Sequence, residues 1–131
     1  MTGEQTVLQA KRLGVFHCQA STSLCDAARQ MVSEDISALV VIDIDGGLAG
    51  IITRFDLLRA LVEQDDWSDQ PVSDYMAREV VTVSQQTTLL EVADILLQRH
   101  IHRVVVARNE NDKRIPLAVV SAADLVYHMT R

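Results

Sequence analysis

The chain has only two cysteines, Cys18 and Cys25, and they stand in neither a CxxC nor any other zinc-ligand spacing. The first residues hold no long apolar segment of the signal-peptide kind, so both are expected to be reduced thiols in a cytoplasmic protein. Long hydrophobic runs are missing too. Stretches such as Ala38–Ile42 are far too short to span a bilayer. Positive charge is scarce: 12 Lys and Arg face 18 Asp and Glu, a net charge of −6. That balance argues against general binding to nucleic acid or to an anionic membrane surface, because both need a positive field. A small anionic ligand would need locally placed cations. No glycine-rich phosphate loop is present, and no Ser/His/Asp set has a supporting context. Trp67 is the one tryptophan; it suits an anchor for the connector or a subunit contact, beside the solvated acids Asp65, Asp66 and Asp69.

What the chain does have is apolar content and repetition. Of its 131 residues 48% are hydrophobic, enough for one ordinary domain or two tightly packed half-domains. Displaced by 65 positions, the halves fall into register. Val15-Phe16-His17-Cys18 lies over Val80-Val81-Thr82-Val83, and Ser23-Leu24-Cys25-Asp26 over Thr88-Leu89-Leu90-Glu91. Ile36-Ser37-Ala38-Leu39-Val40-Val41 lies over Ile101-His102-Arg103-Val104-Val105-Val106. After the next loop the displacement becomes 68, a three-residue insertion, and Thr53 and Asp56 meet Ser121 and Asp124.

Each copy predicts the same elements. A short β-branched strand precedes a hydroxyl-x-x-acid helix start. Apolar residues at i, i+3, i+4 and i+7 then turn one helical face to a core. A Val/Ile/Leu run reads as a buried strand. Asp45-Gly46-Gly47 is a hairpin turn signal, replaced in the second copy by a longer loop over 109–113. A third strand runs into a second helix. The fold class is α/β (α+β): two β-α-β-β-α repeats, with both sheet faces buried only when the repeats pack as one pseudo-twofold body. The expected divisions are a lead-in over residues 1–9, a first repeat over 10–64, a polar connector with Pro71 over 65–75, and a second repeat over 76–131.

Thr53-x-x-Asp56 and Ser121-x-x-Asp124 admit two readings. As capping boxes they stabilise a helix start by about 1 kcal/mol each, with no ligand. As a site, a strand ending at a helix N-terminus leaves free amides and a positive dipole end that suit a phosphate. The hydroxyl can then donate to phosphate, while the carboxylate accepts from two vicinal ribose hydroxyls.

These stretches together resemble a tandem pair of CBS domains, a Bateman module, over residues 10–130. The resemblance rests on the element order, Ile36–Asp43, Gly50–Leu57, Ile101–Val106 and Ala118–Leu125. It implies two clefts between the repeats for adenosine-containing ligands (AMP, ADP or ATP, with S-adenosylmethionine or NAD as further candidates) and no catalytic cofactor. It makes Asp56 and Asp124 ribose ligands and Thr53 and Ser121 phosphate contacts. Asp124 is expected to face Ile36, Ser37 and Ala38, and Asp56 to face Ile101, His102 and Arg103. The lead-in strands, with Phe16 and Val81, are expected around adenine. His102-Arg103 resembles the phosphate-contacting His-Arg pair of the regulatory γ subunit of AMP-activated protein kinase.

The two half-sites differ. Ala118 replaces Gly50, Ser121 replaces Thr53, and Ala122-Ala123 replaces Arg54-Phe55, while Pro116 and the insertion precede Ser121. The Asp56 cleft, with His102 and Arg103, is expected to bind phosphorylated ligand more tightly. A metal site on His100 and His102 would need a further donor such as His17 or Cys18, so helix-end cations and phosphate contact are preferred. Cys18 and Cys25 read as small core fillers. The whole is a regulatory ligand-binding module, not an enzyme. The resemblance suggests homodimers packed as a flat disc through helices carrying Leu57, Leu58, Leu61 and Val62, or Leu125, Val126 and Met129. The competing reading is a ligand-free dimerisation or docking module.

Overall fold

The computed structural model describes residues 4–11 and 13–131. In chain order the elements are α1 (Val7–Ala10), β1 (His17–Gln19), α2 (Leu24–Glu34), β2 (Ala38–Ile42), β3 (Leu48–Thr53), α3 (Arg54–Glu63), β4 (Thr82–Val83), α4 (Leu89–Arg99), β5 (Arg103–Glu110), β6 (Lys113–Ser121) and α5 (Ala122–Met129). Short 3₁₀ turns at Trp67–Asp69 and Val72–Asp74 follow α3. The strands form two three-stranded sheets, β1-β2-β3 and β4-β5-β6. In each, the first strand is parallel to the middle one and the third antiparallel to it.

The chain divides into two compact units. One is Phe16–Val80; the other joins the described residues up to Val15 to Val81–Arg131. The lead-in therefore belongs with the second repeat's sheet. Thr6 caps α1 by accepting from the Gln9 amide. Val7 N donates to Thr87 O at 3.0 Å and Leu89 N to Gln5 O at 2.8 Å. Val7 is buried in that unit's core beside Leu89, Val92 and Val104.

Residues 65–75 are not the solvated linker their polarity suggests. Leu24 N donates to Gln70 O and Val72 N to Thr22 O, both at 2.8 Å. Val72, Tyr75 and Met76 enter the core of the first repeat, with Trp67 packed against it. Val72 and Tyr75 within the polar stretch, with Met76 just beyond it, gain more from burial than the stretch gains from hydration. The acids remain outside while the backbone between them is fixed.

Periodicity explains the helix faces. Leu24, Ala27 and Met31 are the buried residues of α2; Leu89, Val92 and Leu96 are those of α4. Both helices end in a left-handed residue, Asp35 at φ 51° and His100 at φ 55°, which stops the helix and turns the chain into the middle strand. Both sheets carry a bulge at matching places, Val41/Ile42 and Val106/Ala107. Pro116 pairs with Ala107 at the second bulge, where a strand tolerates a residue without an N–H. The first repeat bulges there without proline, so Pro116 does not cause the irregularity. The insertion lengthens the β5–β6 hairpin, whose turn sets Asn111 and Asp112 at φ 51° and 64°. In the first hairpin Gly46 takes φ 85°, and Asp43 Oδ1 accepts from the Asp45 and Gly47 amides at 2.9 Å.

Candidate functional site

Each third strand runs without a loop into a helix, and the hydroxyl residue at the junction is its N-cap. Thr53 pairs in register with Ala38, and Ser121 with Arg103. The next amide bonds the residue before the middle strand: Arg54 N to Ser37 O at 3.1 Å, and Ala122 N to His102 O at 2.9 Å. Each repeat thus gathers its own set: Ser37, Ala38, Thr53 and Asp56 in one, His102, Arg103, Ser121 and Asp124 in the other. Ile36 and Ile101, half-buried, pack against the respective cores from the turns that follow α2 and α4. Phe16 and Val81 take equivalent places before the first strands, accepting from Val40 N at 3.2 Å and Val105 N at 3.0 Å. Phe16 is 49% exposed and Val81 is half-buried.

The capping boxes are complete at both helices. Asp56 Oδ2 accepts from Thr53 N at 2.8 Å and Thr53 Oγ1 at 3.1 Å. Asp124 Oδ2 accepts from Ser121 N at 2.8 Å and Ser121 Oγ at 3.1 Å. The cap does not use up a carboxylate, which has four lone-pair positions on two oxygens. In both residues the cap bonds end on Oδ2. The Asp56 side chain is 15% exposed and that of Asp124 33%, so neither is sealed from water.

Two cations escaped the sequence reading. Arg59 Nη1 lies 3.5 Å from Asp56 Oδ1, while its Nη2 donates to Tyr75 O at 3.0 Å. Its spacing of i+3 from Asp56 was a usable signal. Lys11 Nζ donates to Asp124 Oδ2 at 2.9 Å across 113 positions, and no local spacing announces that. Burial alone would raise the Asp124 pKa. The bonds from Ser121 and Lys11 outweigh it and hold the carboxyl below its ordinary 3.8.

Among the described residues no group of three His, Cys, Asp or Glu could hold a metal ion. His100 serves as the left-handed cap of α4. Cys18 is buried, and desolvation pushes its thiol up to about 11, so it is protonated at neutral pH and a poor nucleophile. Among the described residues no helix is long and apolar enough to cross a membrane. Of the apolar residues expected on helical contact faces, Leu57 and Leu125 pack on their own cores. Leu58, Leu61, Val62, Val126 and Met129 are exposed.

Two sheets of identical topology, each ending in a capped Thr/Ser-x-x-Asp helix start, define a duplicated architecture of mixed α+β class. The CBS domain model matches residues 10–63 and 72–131, and the chain belongs to the CBS domain family. An uncharacterized 17.7 kDa protein of Acidianus ambivalens is 29% identical over 119 residues, 91% of this chain and 70% of that protein. The CBS domain pair of protein MJ0100, solved with 5′-methylthioadenosine and S-adenosyl-L-methionine, is similar at a TM-score of 0.85 and 23% identity, covering 96% of each chain. CBSX2, solved with AMP, is similar at a TM-score of 0.81 and 22% identity, again over 96% of each. Against longer curated relatives the chain spans a minor part: 43% of transcriptional repressor CcpN of Bacillus subtilis and 24% of an inosine-5′-monophosphate dehydrogenase of Nitrosopumilus maritimus.

Proposed function

We propose that the chain is a regulatory module, not an enzyme, and that it binds adenosine-containing ligands of the AMP, ADP or ATP class at Thr53/Asp56 and Ser121/Asp124. S-adenosylmethionine and NAD carry the same adenosine and belong to the same panel. The carrying observation is the duplicated carboxylate, oriented by its cap through Oδ2 and still open to water. An aspartate so held can accept from the vicinal hydroxyls of a ribose without first being ordered, which lowers the cost of binding. The adenosine compounds in the solved CBS pairs support the ligand class. Phosphorylated ligand binds more tightly at Asp56. Binding acts by favouring one arrangement of the module, to the extent that the ligand prefers it. The module comprises a lead-in, two repeats and a connector, and assembles as a homodimer through the exposed residues of α3 and α5. Two free thiols suit a reducing compartment, the cytoplasm.

Thermal unfolding with AMP, ADP, ATP, S-adenosylmethionine and NAD tests this. A ligand at a hundred times its Kd adds about 2.7 kcal/mol of stability, and the midpoint rises. If no compound moves the midpoint, the docking reading takes over, in which the complete capping boxes are purely structural and the exposed Leu58, Leu61 and Val62 meet a protein.

A further inference from the structure

Asp124 is neutralised by a charge from the far end of the chain. Lys11 follows α1 directly, its amide closing the helix onto Val7 O at 3.0 Å. Because α1 is bonded to the turn before α4, the ammonium is delivered to Asp124 by backbone geometry. The residue in the second repeat that matches Arg59 is Tyr127, whose ring lies 4.3 Å beneath the Arg131 guanidinium. The helix that carries Asp56 thus supplies its own cation, whereas α5 has a tyrosine at that place and Asp124 takes its cation from the lead-in.

We infer that Lys11 is a specificity-determining residue of the Asp124 half-site, selecting phosphorylated adenosine ligands over the neutral nucleoside. This rests on the proposed function and names the ligand charge that one half-site prefers. Asp124 Oδ2 already accepts from Ser121 N, Ser121 Oγ and Lys11 Nζ. A ribose diol draws on the same carboxylate through its remaining lone pairs, which weakens its hold on the ammonium. A nucleoside offers that ammonium no anion in exchange. A nucleotide offers a phosphate, and lysine is a compact charge on a flexible four-carbon stem that can follow it. The Lys11 side chain is one-third exposed, which leaves room for the movement. Arg59 is more exposed, at 51%, but it is tethered: it is bonded to Tyr75 O and its guanidinium lies 5.2 Å over the Tyr75 ring. Selection by a movable ammonium is therefore particular to the Asp124 half-site.

The test is calorimetric titration with adenosine and with AMP in an Asp56→Ala background, which leaves the Asp124 half-site. AMP is expected to bind about tenfold tighter than adenosine, the scale of one charge-assisted hydrogen bond. Adding Lys11→Met keeps the stem and removes the charge, and the ratio falls toward unity as AMP weakens and adenosine strengthens. Lys11→Arg restores the ratio. Added KCl weakens AMP binding when Lys11 is present and has little effect on the Met variant. Thermal midpoints confirm that the variants fold. An unchanged AMP-to-adenosine ratio in Lys11→Met overturns the inference, as does an equal loss for both ligands, which marks a structural role. AMP binding by the intact chain but not by Asp56→Ala overturns this inference alone. Binding of neither ligand by the intact chain overturns the functional reading as well.

Discussion

Asp56 and Asp124 make the same pair of cap bonds, 2.8 and 3.1 Å in each repeat, but differ in everything beyond the cap. Asp56 has a guanidinium on its own helix, at 3.5 Å and already committed to Tyr75 O. Asp124 has an ammonium at 2.9 Å from a segment 113 positions away. Duplication preserved what local sequence encodes, the strand-to-helix junction and its cap. The charge around the junction diverged: Arg59 is matched by Tyr127, and the cation at Asp124 comes from outside the repeat's pattern. The third strands diverged in the same way. β3 bonds residue 77, with Ile51 N to Ala77 O at 3.0 Å and Ala77 N to Ile51 O at 2.9 Å. β6 receives Gly14 N on Leu117 O at 2.7 Å.

The largest expected effect bears on those strands. A Cβ at Gly50 would stand 2.6 Å from Ala77 O and 2.9 Å from Met76 Sδ, and the carbonyl cannot move without breaking the bridge to Ile51. Gly50→Ala is expected to cost about 1–3 kcal/mol in urea unfolding, as overpacking does. The matching change, Ala118→Gly, should cost about 0.5–1 kcal/mol through backbone entropy. Equal costs would mean that the two strands are packed alike and the asymmetry is illusory.

Removing the caps should erase a similarity instead. Thr53→Ala and Ser121→Ala are each expected to cost about 1 kcal/mol by the same measurement. A cost confined to one repeat would show that the matched bond lengths carry different energies.

The smallest effect separates the two carboxylates by charge. Asp124 has its pKa lowered in the folded chain, so its contribution is complete above the unfolded value near 3.8 and vanishes as pH falls through the lower folded value. Lys11→Met brings the folded pKa back toward the unfolded one. The variant should be less stable than the parent at neutral pH, by no more than about 1 kcal/mol for a partly exposed pair. The deficit should close only as pH falls below 3.8 and through the lowered folded value, where protonation silences Asp124 in both chains. A deficit independent of pH would assign it to lost packing of the lysine stem.

The repeats, the helix faces and both capping boxes could be read from the sequence because each is written within a few residues, in hydroxyl-x-x-acid spacing and apolar periodicity. The hairpin at Gly46 was equally local. Lys11 was not readable, because its partner lies in the last helix and a lone lysine has no signature. The connector misled by composition: its acids outnumber Val72 and Tyr75, yet burial of those two, with Met76 just beyond, decides where the backbone lies. The Gly50/Ala118 difference was visible, but the reason for it was not, since the Ala77 carbonyl that excludes a Cβ comes from another segment. Local chemistry reports the shared cap and the Arg59/Tyr127 difference, and chain-distant neighbours supply the rest of what separates the half-sites.

The most direct test of ligand sensing at these carboxylates is titration of AMP into the intact chain, Asp56→Ala and Asp124→Ala, followed by calorimetry. Weaker binding is expected in both variants. The larger loss is expected for Asp56→Ala, because Asp56 belongs to the half-site proposed to bind phosphorylated ligand more tightly. Affinity in both variants equal to that of the intact chain would contradict it, leaving the two aspartates as helix caps and nothing more.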